Sequence, residues 1–333
     1  MKAAVLDRYD RQGATLQVRD IPNPTIGPDD VLVRVTFAGV NPLDNMIVRG
    51  EVKLIVPYRT PLTMGNEFVG VVERTGTRVT RFSEGERVYG RMPLDAIGAF
   101  AQFVSIPQSA LAATPEYMSD EEAACVPLTA LTAWQAYELM HVAEGGRLFI
   151  SGATGSLGAM AVPIARDLGL EVSVSGGASG RRRMLDMGVA TFVDYKTQDY
   201  ATMLSGMDYV LDTVGDREIG KELGILKRGG TLVSLRGTPN GAFARRIGLP
   251  WYKRVLFDAA GMRNDRLAHR RAQRYEFIFV HADGAGLDRV SRMFERHEVH
   301  PTVNDVYDLA QVNDAMERVR RGGSNGKTLL RIG

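Results

Sequence analysis

The 333-residue chain is poor in the residues that staple or anchor a protein. It has one cysteine, Cys125, which excludes an intramolecular disulfide and with it a disulfide-stapled secreted fold. A single thiol also excludes a four-cysteine structural zinc. No window approaches the ~20 apolar residues of a membrane helix. The start, Met1-Lys2-Ala3-Ala4-Val5-Leu6-Asp7, lacks the apolar core of a leader and reads as a short strand. The cytoplasm is the expected compartment. A dominant charge is missing too: 41 basic residues face 39 acidic ones, a formal +2, so no global field favours nucleic acid or an anionic membrane. Lysine is scarce, seven against 34 arginines, a bias that genome base composition explains. What is there, 44% hydrophobic and 24% charged residues, is an ordinary soluble composition with length for two domains.

The first part of the chain reads as short strands punctuated by Gly and Pro. Val31–Thr36, Phe68–Val72, Arg87–Tyr89 and Ala101–Ile106 are the strand-like runs, as in a small antiparallel barrel or sandwich. At Ser119-Asp120-Glu121-Glu122 a capping box predicts the start of a long helix reaching about Met140. From Arg147 onward strand and helix alternate. Strands are expected at Arg147–Ile150, Val172–Ser175, Thr191–Asp194, Tyr209–Asp212, Thr231–Leu235 and Phe277–Val280. Helices near Leu157–Leu168, Arg181–Met187 and Glu218–Leu226 lie between them. Alternation of this kind implies parallel strands joined by right-handed crossovers, a doubly wound sheet. Two amphipathic helices, Leu287–Glu298 and Gln311–Arg320, and a strand near Lys327–Leu330 then return to the first domain. The expected division is 1–124 with 283–333 as a discontinuous β-rich domain and 125–282 as the doubly wound domain, an α/β protein overall.

The most informative stretch is Ile150-Ser151-Gly152-Ala153-Thr154-Gly155-Ser156-Leu157-Gly158, an apolar strand turning into a helix. Gly155 lets the backbone approach a pyrophosphate and Gly158 lets the helix pack on the strand, while the helix N-terminus offers free amides and a favourable dipole. Ala153, Thr154, Gly155, Ser156 and Leu157 are therefore cofactor-binding candidates, although Ala153 stands where the usual fingerprint has its first glycine. Cofactor choice is read at the end of the next strand. There the chain has Ser175-Gly176-Gly177-Ala178-Ser179-Gly180-Arg181-Arg182-Arg183 and no acid to hold a ribose diol. Arginine suits a 2′-phosphate through its planar fork, so NADP(H) is favoured. Arg181 is the expected contact, with Ser175 and Gly176 beneath it. Val214, Leu235 and Gly237 follow later strand ends, where parallel sheets place ligands.

These residues, together with Gly39-Val40-Asn41-Pro42-Leu43-Asp44, Gly65-Asn66-Glu67-Phe68-Val69-Gly70, Leu128-Thr129-Ala130-Leu131-Thr132-Ala133, Asp212-Thr213-Val214-Gly215 and Gly326-Lys327, resemble the medium-chain dehydrogenase/reductase superfamily, and within it the zinc-independent NADPH:quinone oxidoreductase branch. The resemblance spans essentially the whole chain. It implies a GroES-like catalytic domain beside a Rossmann domain, a cofactor cleft between them, and a homodimer. It also implies cofactor contacts at Asn41, Thr132, Tyr195 and Lys327, the last otherwise a surface charge. The superfamily's alcohol dehydrogenases place a zinc-binding cysteine where Asn41 stands, a histidine where Asn66 stands and a third ligand near Leu128. Amide and leucine do not replace thiolate and imidazole, so no metal is expected. His297-Glu298-Val299-His300 reads as a helix end rather than a metal pair.

Without a Lewis acid, hydride delivery to a quinone or an α,β-unsaturated carbonyl is the fitting reaction, because the added hydride gives a delocalised oxyanion that the protein need only orient and hydrogen-bond. Candidate catalytic residues are Asn41, Tyr58 and Thr132. Asn41 is either a donor to the acceptor oxygen or a turn residue before Pro42. Tyr58 is either an acid or packing, and Thr132 is either a nicotinamide neighbour or a helix-face hydroxyl. A competing class is a cofactor-bound protein with little turnover whose basic, aromatic segment 245–274 binds single-stranded nucleic acid. The near-zero net charge favours a solvated helical hairpin there instead.

Overall fold

The computed structural model describes residues 1–13, 15–323 and 326–333. It divides into two compact units, Met1–Leu131 with His281–Gly333, and Thr132–Val280.

The discontinuous unit is built around one long strand, Asp30–Val40. Its Val31, Val33 and Val35 side chains are fully buried, the alternation expected of a strand with one face on a core. Antiparallel partners are Glu67–Thr75 and, beside its first half, Phe103–Pro107. The last strand, Lys327–Arg331, pairs antiparallel with residues Phe37–Val40, so the chain does return to its first domain. Arg87–Arg91 extends the sheet beyond Glu67–Thr75, placing Arg91 directly across from Glu67. The helix that precedes the last strand is Val312–Arg321.

The second unit contains a six-stranded sheet. Its strands are β1 (Arg147–Ile150), β2 (Glu171–Gly176), β3 (Thr191–Asp194), β4 (Met207–Asp212), β5 (Leu226–Ser234) and β6 (Arg274–Phe277). All pairings are parallel, and the spatial order is β3-β2-β1-β4-β5-β6. That is the doubly wound order whose ligand crevice opens where the chain reverses direction across the sheet, between β1 and β4. Phe149, Val210 and Leu232, on adjacent strands, are fully buried in one apolar cluster with Ile219 and Leu223.

Three expectations change. The capping box forms, with the Glu122 amide donating to Ser119 Oγ at 3.2 Å and the Ser119 amide to Glu122 Oε2 at 2.9 Å. The helix it starts ends at Ala124, however, and a second runs Pro127–Met140. Pro127 has no amide for an upstream carbonyl and disfavours helical geometry at Val126, yet suits the first position of a new helix. β6 lies three residues earlier than Phe277–Val280, because register with Thr231–Ser234 of β5 fixes it. The expected helix Gln311–Arg320 begins instead as a 3₁₀ turn over Leu309–Gln311.

Candidate functional site

In the parallel-sheet unit the glycine turn follows β1. Gly152 has φ +66°, so the sharp reversal that the fingerprint usually assigns to its first glycine is taken one residue before Ala153. The Gly152 and Ala153 amides donate to Ser175 Oγ (3.3 Å) and Ser175 O (2.8 Å) at the end of β2, locking the turn to the neighbouring strand. The helix Ser156–Asp167 starts at Gly155 with no side-chain cap. A Cβ at Gly155 would meet nothing within 4 Å, whereas one at Gly158 would sit 1.8 Å from Ala153 O. The first glycine leaves the helix end open to an anion and the second brings the helix onto the strand, which fits a cofactor pyrophosphate held by the Ser156 and Leu157 turn. Thr154 fills the space over Gly176 and Gly180, where a Cβ would come within 2.2 and 2.4 Å of its methyl group.

The three arginines separate. Arg182 is spent on Asp186 at 3.0 Å. Arg181, the expected phosphate contact, lies 5.6 Å over the Phe192 ring. Arg183 instead donates to the Thr154 carbonyl of the glycine turn, so the structure brings Arg183 rather than Arg181 to the turn. Helical spacing separates the two, since 181 and 183 point to different sides of their helix. The acid-free end of β2 and this guanidinium fit an NADP(H) adenosine phosphate. Tyr195 is 61% exposed just after β3, with its amide on Gly176 O.

Beneath the turn after β4, Asp212 is fully buried. It accepts from the Val214 amide (2.7 Å), the Gly215 amide (2.9 Å) and the Ser234 hydroxyl (2.5 Å). Ser234 Oγ in turn accepts from the Gly237 amide at 2.7 Å, and the Leu235 amide donates to Asp212 O. Asp212 thus sets the backbone at Val214 through its carboxylate, at Gly237 through Ser234 and at Leu235 through its own carbonyl. Glu222 is buried beside it, and desolvation with the Asp212 charge raises its carboxyl well above the usual range. Glu222 carried no signal in the sequence beyond being an acid on a helix face.

The discontinuous unit holds a buried polar cluster on the Asn41 and Asn66 motifs. The Asn41 amide nitrogen donates to Gly39 O (3.2 Å) and Glu67 Oε1 (2.7 Å), and its carbonyl accepts from Lys327 Nζ at 2.6 Å. Both side-chain amide hydrogens are committed within the cluster. Lys327, read as a cofactor contact or a surface charge, is 2% exposed and pairs with Glu67 at 2.5 Å. Glu67 Oε2 accepts from the Leu128 amide at 2.7 Å. Asp44 accepts from the Asn41 backbone amide and from Asn66 Nδ2, both at 2.7 Å, and burial pushes its carboxyl up to about 7. Burial raises the Tyr58 phenol to about 12, so it carries its proton at neutral pH. Thr132 is buried on the Pro127–Met140 helix. Arg91, fully buried, was not anticipated; its position on the inward side of a strand was the only hint.

Comparison with known proteins agrees with this geometry. Residues 27–116 match the alcohol dehydrogenase GroES-like domain and residues 187–330 the zinc-binding dehydrogenase domain. The chain belongs to the medium-chain dehydrogenase/reductase superfamily. The zebrafish (Danio rerio) mitochondrial NAD(P)H oxidoreductase RTN4IP1 is 28% identical across 100% of this chain and 91% of its own length. The tomato (Solanum lycopersicum) 2-methylene-furan-3-one reductase is 28% identical over 66% of this chain and 58% of its own. The quinone oxidoreductase of Thermus thermophilus, also solved with NADPH, superposes with a TM-score of 0.76 at 26% identity, each chain covered in full. The zinc of the second domain's description does not fit here. Where that superfamily's dehydrogenases hold metal this chain has Asn41, Asn66 and Leu128, with the Lys327 ammonium bonded to the Asn41 amide and Glu67. Among the described residues no group of three His, Cys, Asp or Glu could hold a metal ion.

Proposed function

We propose that this chain is an NADP(H)-dependent oxidoreductase that reduces a quinone or an α,β-unsaturated carbonyl compound. The observation that carries the reading is the glycine turn at the head of a β3-β2-β1-β4-β5-β6 sheet with no acid at the end of β2 and Arg183 on the turn. When bound, the cofactor supplies a hydride, and the acceptor takes up that hydride and one proton from water. The residues of this chain bind and orient. The Ser156–Leu157 helix end takes the pyrophosphate, arginine takes the adenosine phosphate, and the loops after β4 and β5 form a rigid floor organised by Asp212. Tyr58, protonated at neutral pH, offers its O–H as a hydrogen-bond donor for binding the acceptor, and the proton consumed comes from water. Asn41, Asp44 and Glu67 hold the loop shape and transfer no proton.

A homodimer in the cytoplasm completes the proposal. No helix of the described residues is long and apolar enough to cross a membrane, while the zebrafish relative's name carries "mitochondrial". The test is cofactor oxidation at 340 nm across quinones, enals and enones, with and without a chelator. NADPH should be consumed faster than NADH, and the chelator should change nothing. Preference for NADH, or failure of every acceptor despite tight NADPH binding, would overturn it.

A further inference from the structure

The β-rich unit contains an unspent buried cation. Arg91 faces Glu67 across the strand pair, a position that ordinarily gives an ion pair. Glu67 is already taken by Lys327, Asn41 and the Leu128 amide. Asp44, the other buried carboxyl of the cluster, is taken by the Asn41 amide and Asn66. The Arg91 guanidinium gives one hydrogen to the carbonyl of Met92. Its Nε and Nη2 have no partner among the described residues, although the residue is 0% exposed. The Tyr58 hydroxyl is a second buried group with no partner there, and the guanidinium charge acts on the phenol.

Which donors are unspent matters. Nε–H and Nη2–H lie parallel along one edge of the guanidinium, the two-pronged face that takes both oxygens of a carboxylate. A buried guanidinium with that edge unused is costly, and an entering anion removes the cost. A neutral carbonyl satisfies one prong only.

We propose that Arg91 and Tyr58 form a carboxylate-binding site, and that the acceptor is an unsaturated carbonyl compound bearing a carboxylate. The second half rests on the reductase reading; the first does not.

Two measurements on the full chain separate them. Calorimetric titration with 4-oxopentanoate and with its methyl ester reads the site without turnover. The acid should bind and the ester should bind roughly 50-fold more weakly, a gap that closes in Arg91→Gln and narrows in Arg91→Lys, which keeps charge but loses the fork. Tyr58→Phe should weaken the acid alone, by roughly fivefold. NADPH oxidation with 4-oxopent-2-enoate and its methyl ester then reads the acceptor, and the same preference should appear in kcat/KM, carried by KM. If Arg91→Gln does not fold, Arg91→Lys and Tyr58→Phe decide. Equal binding of acid and ester by the wild type, or an acid preference unchanged in the folded variants, overturns the site. Arg91-dependent binding of the acid, with NADPH consumed neither with this pair nor with the quinone, enal and enone panel, leaves the site standing and overturns the reductase reading. Equal consumption of acid and ester leaves the reductase reading standing and overturns the carboxylate-bearing acceptor.

Discussion

Removing the Lys327 ammonium would strand Glu67, a carboxylate with 0% exposure whose cationic partner is that lysine. Breaking a buried pair from one side is worth about 3–5 kcal/mol, so Lys327→Met should lower unfolding stability by about that much in urea titration. A loss below about 1 kcal/mol would mean the pair is solvated. Asp44 makes a second residue-scale prediction. Its carboxyl holds a proton up to about 7 when folded, against 3.8 for an aspartate in water. The contribution to stability is therefore fully present below 3.8 and lost as pH rises through 7. Wild-type stability should carry a falling component between about pH 4 and about pH 7, and Asp44→Asn should lack it. The positions of Asn41, Asn66, Glu67 and Lys327 were legible as motifs. Their roles were not, because a motif does not say whether an amide's two hydrogens are free; that depends on an ammonium arriving from residue 327.

At the scale of elements, the Gly158 contact is the sharpest. A Cβ 1.8 Å from Ala153 O cannot be accommodated by a side-chain rotation, because both partners are backbone. Gly158→Ala should push the Ser156–Asp167 helix off β1, cost about 1–3 kcal/mol and weaken NADPH binding at least about tenfold by fluorescence titration. Retained affinity would show that the helix end is not the phosphate site. Strand and helix alternation from Arg147 was readable because buried parallel strands are short apolar runs between amphipathic helices. Boundaries set by a neighbour were not: β6 follows its register with β5. Pro127 marks the helix break at Val126, a signal that the capping box upstream masks.

Across the whole molecule, the arginine-rich segment 245–274 is partly spoken for. Arg245 pairs with Asp258 (3.1 Å) and Arg246 with Glu276 (2.8 Å). Arg271 bonds Gly220 O and Arg274 bonds Thr231 Oγ1, both at 3.1 Å. Guanidiniums held by protein carboxylates and carbonyls contribute little to a phosphate-binding surface. Filter retention of a single-stranded oligonucleotide should accordingly be weak at ~50 mM salt and show no steep salt slope. Strong salt-sensitive retention would return weight to the nucleic-acid reading. Light scattering should give twice the chain mass, and a monomer would remove the homodimer from the proposal. The fold class was legible because alternation is a whole-chain property, whereas surface chemistry depends on partners that sequence distance hides.

The bond from Lys327 to Asn41 joins residues 286 apart, and that separation orders events during synthesis. The Thr132–Val280 unit has all its residues once the ribosome has passed 280, and a nascent chain can fold it then. The β-rich unit has most of its strands by then, but Glu67 lacks its bonded ammonium and Phe37–Val40 has no outer strand until residues 327–331 emerge. A chain arrested before residue 327 should therefore resist protease across 132–280 while its first 130 residues remain cleavable, and release of the last strand should close that vulnerability in a single step.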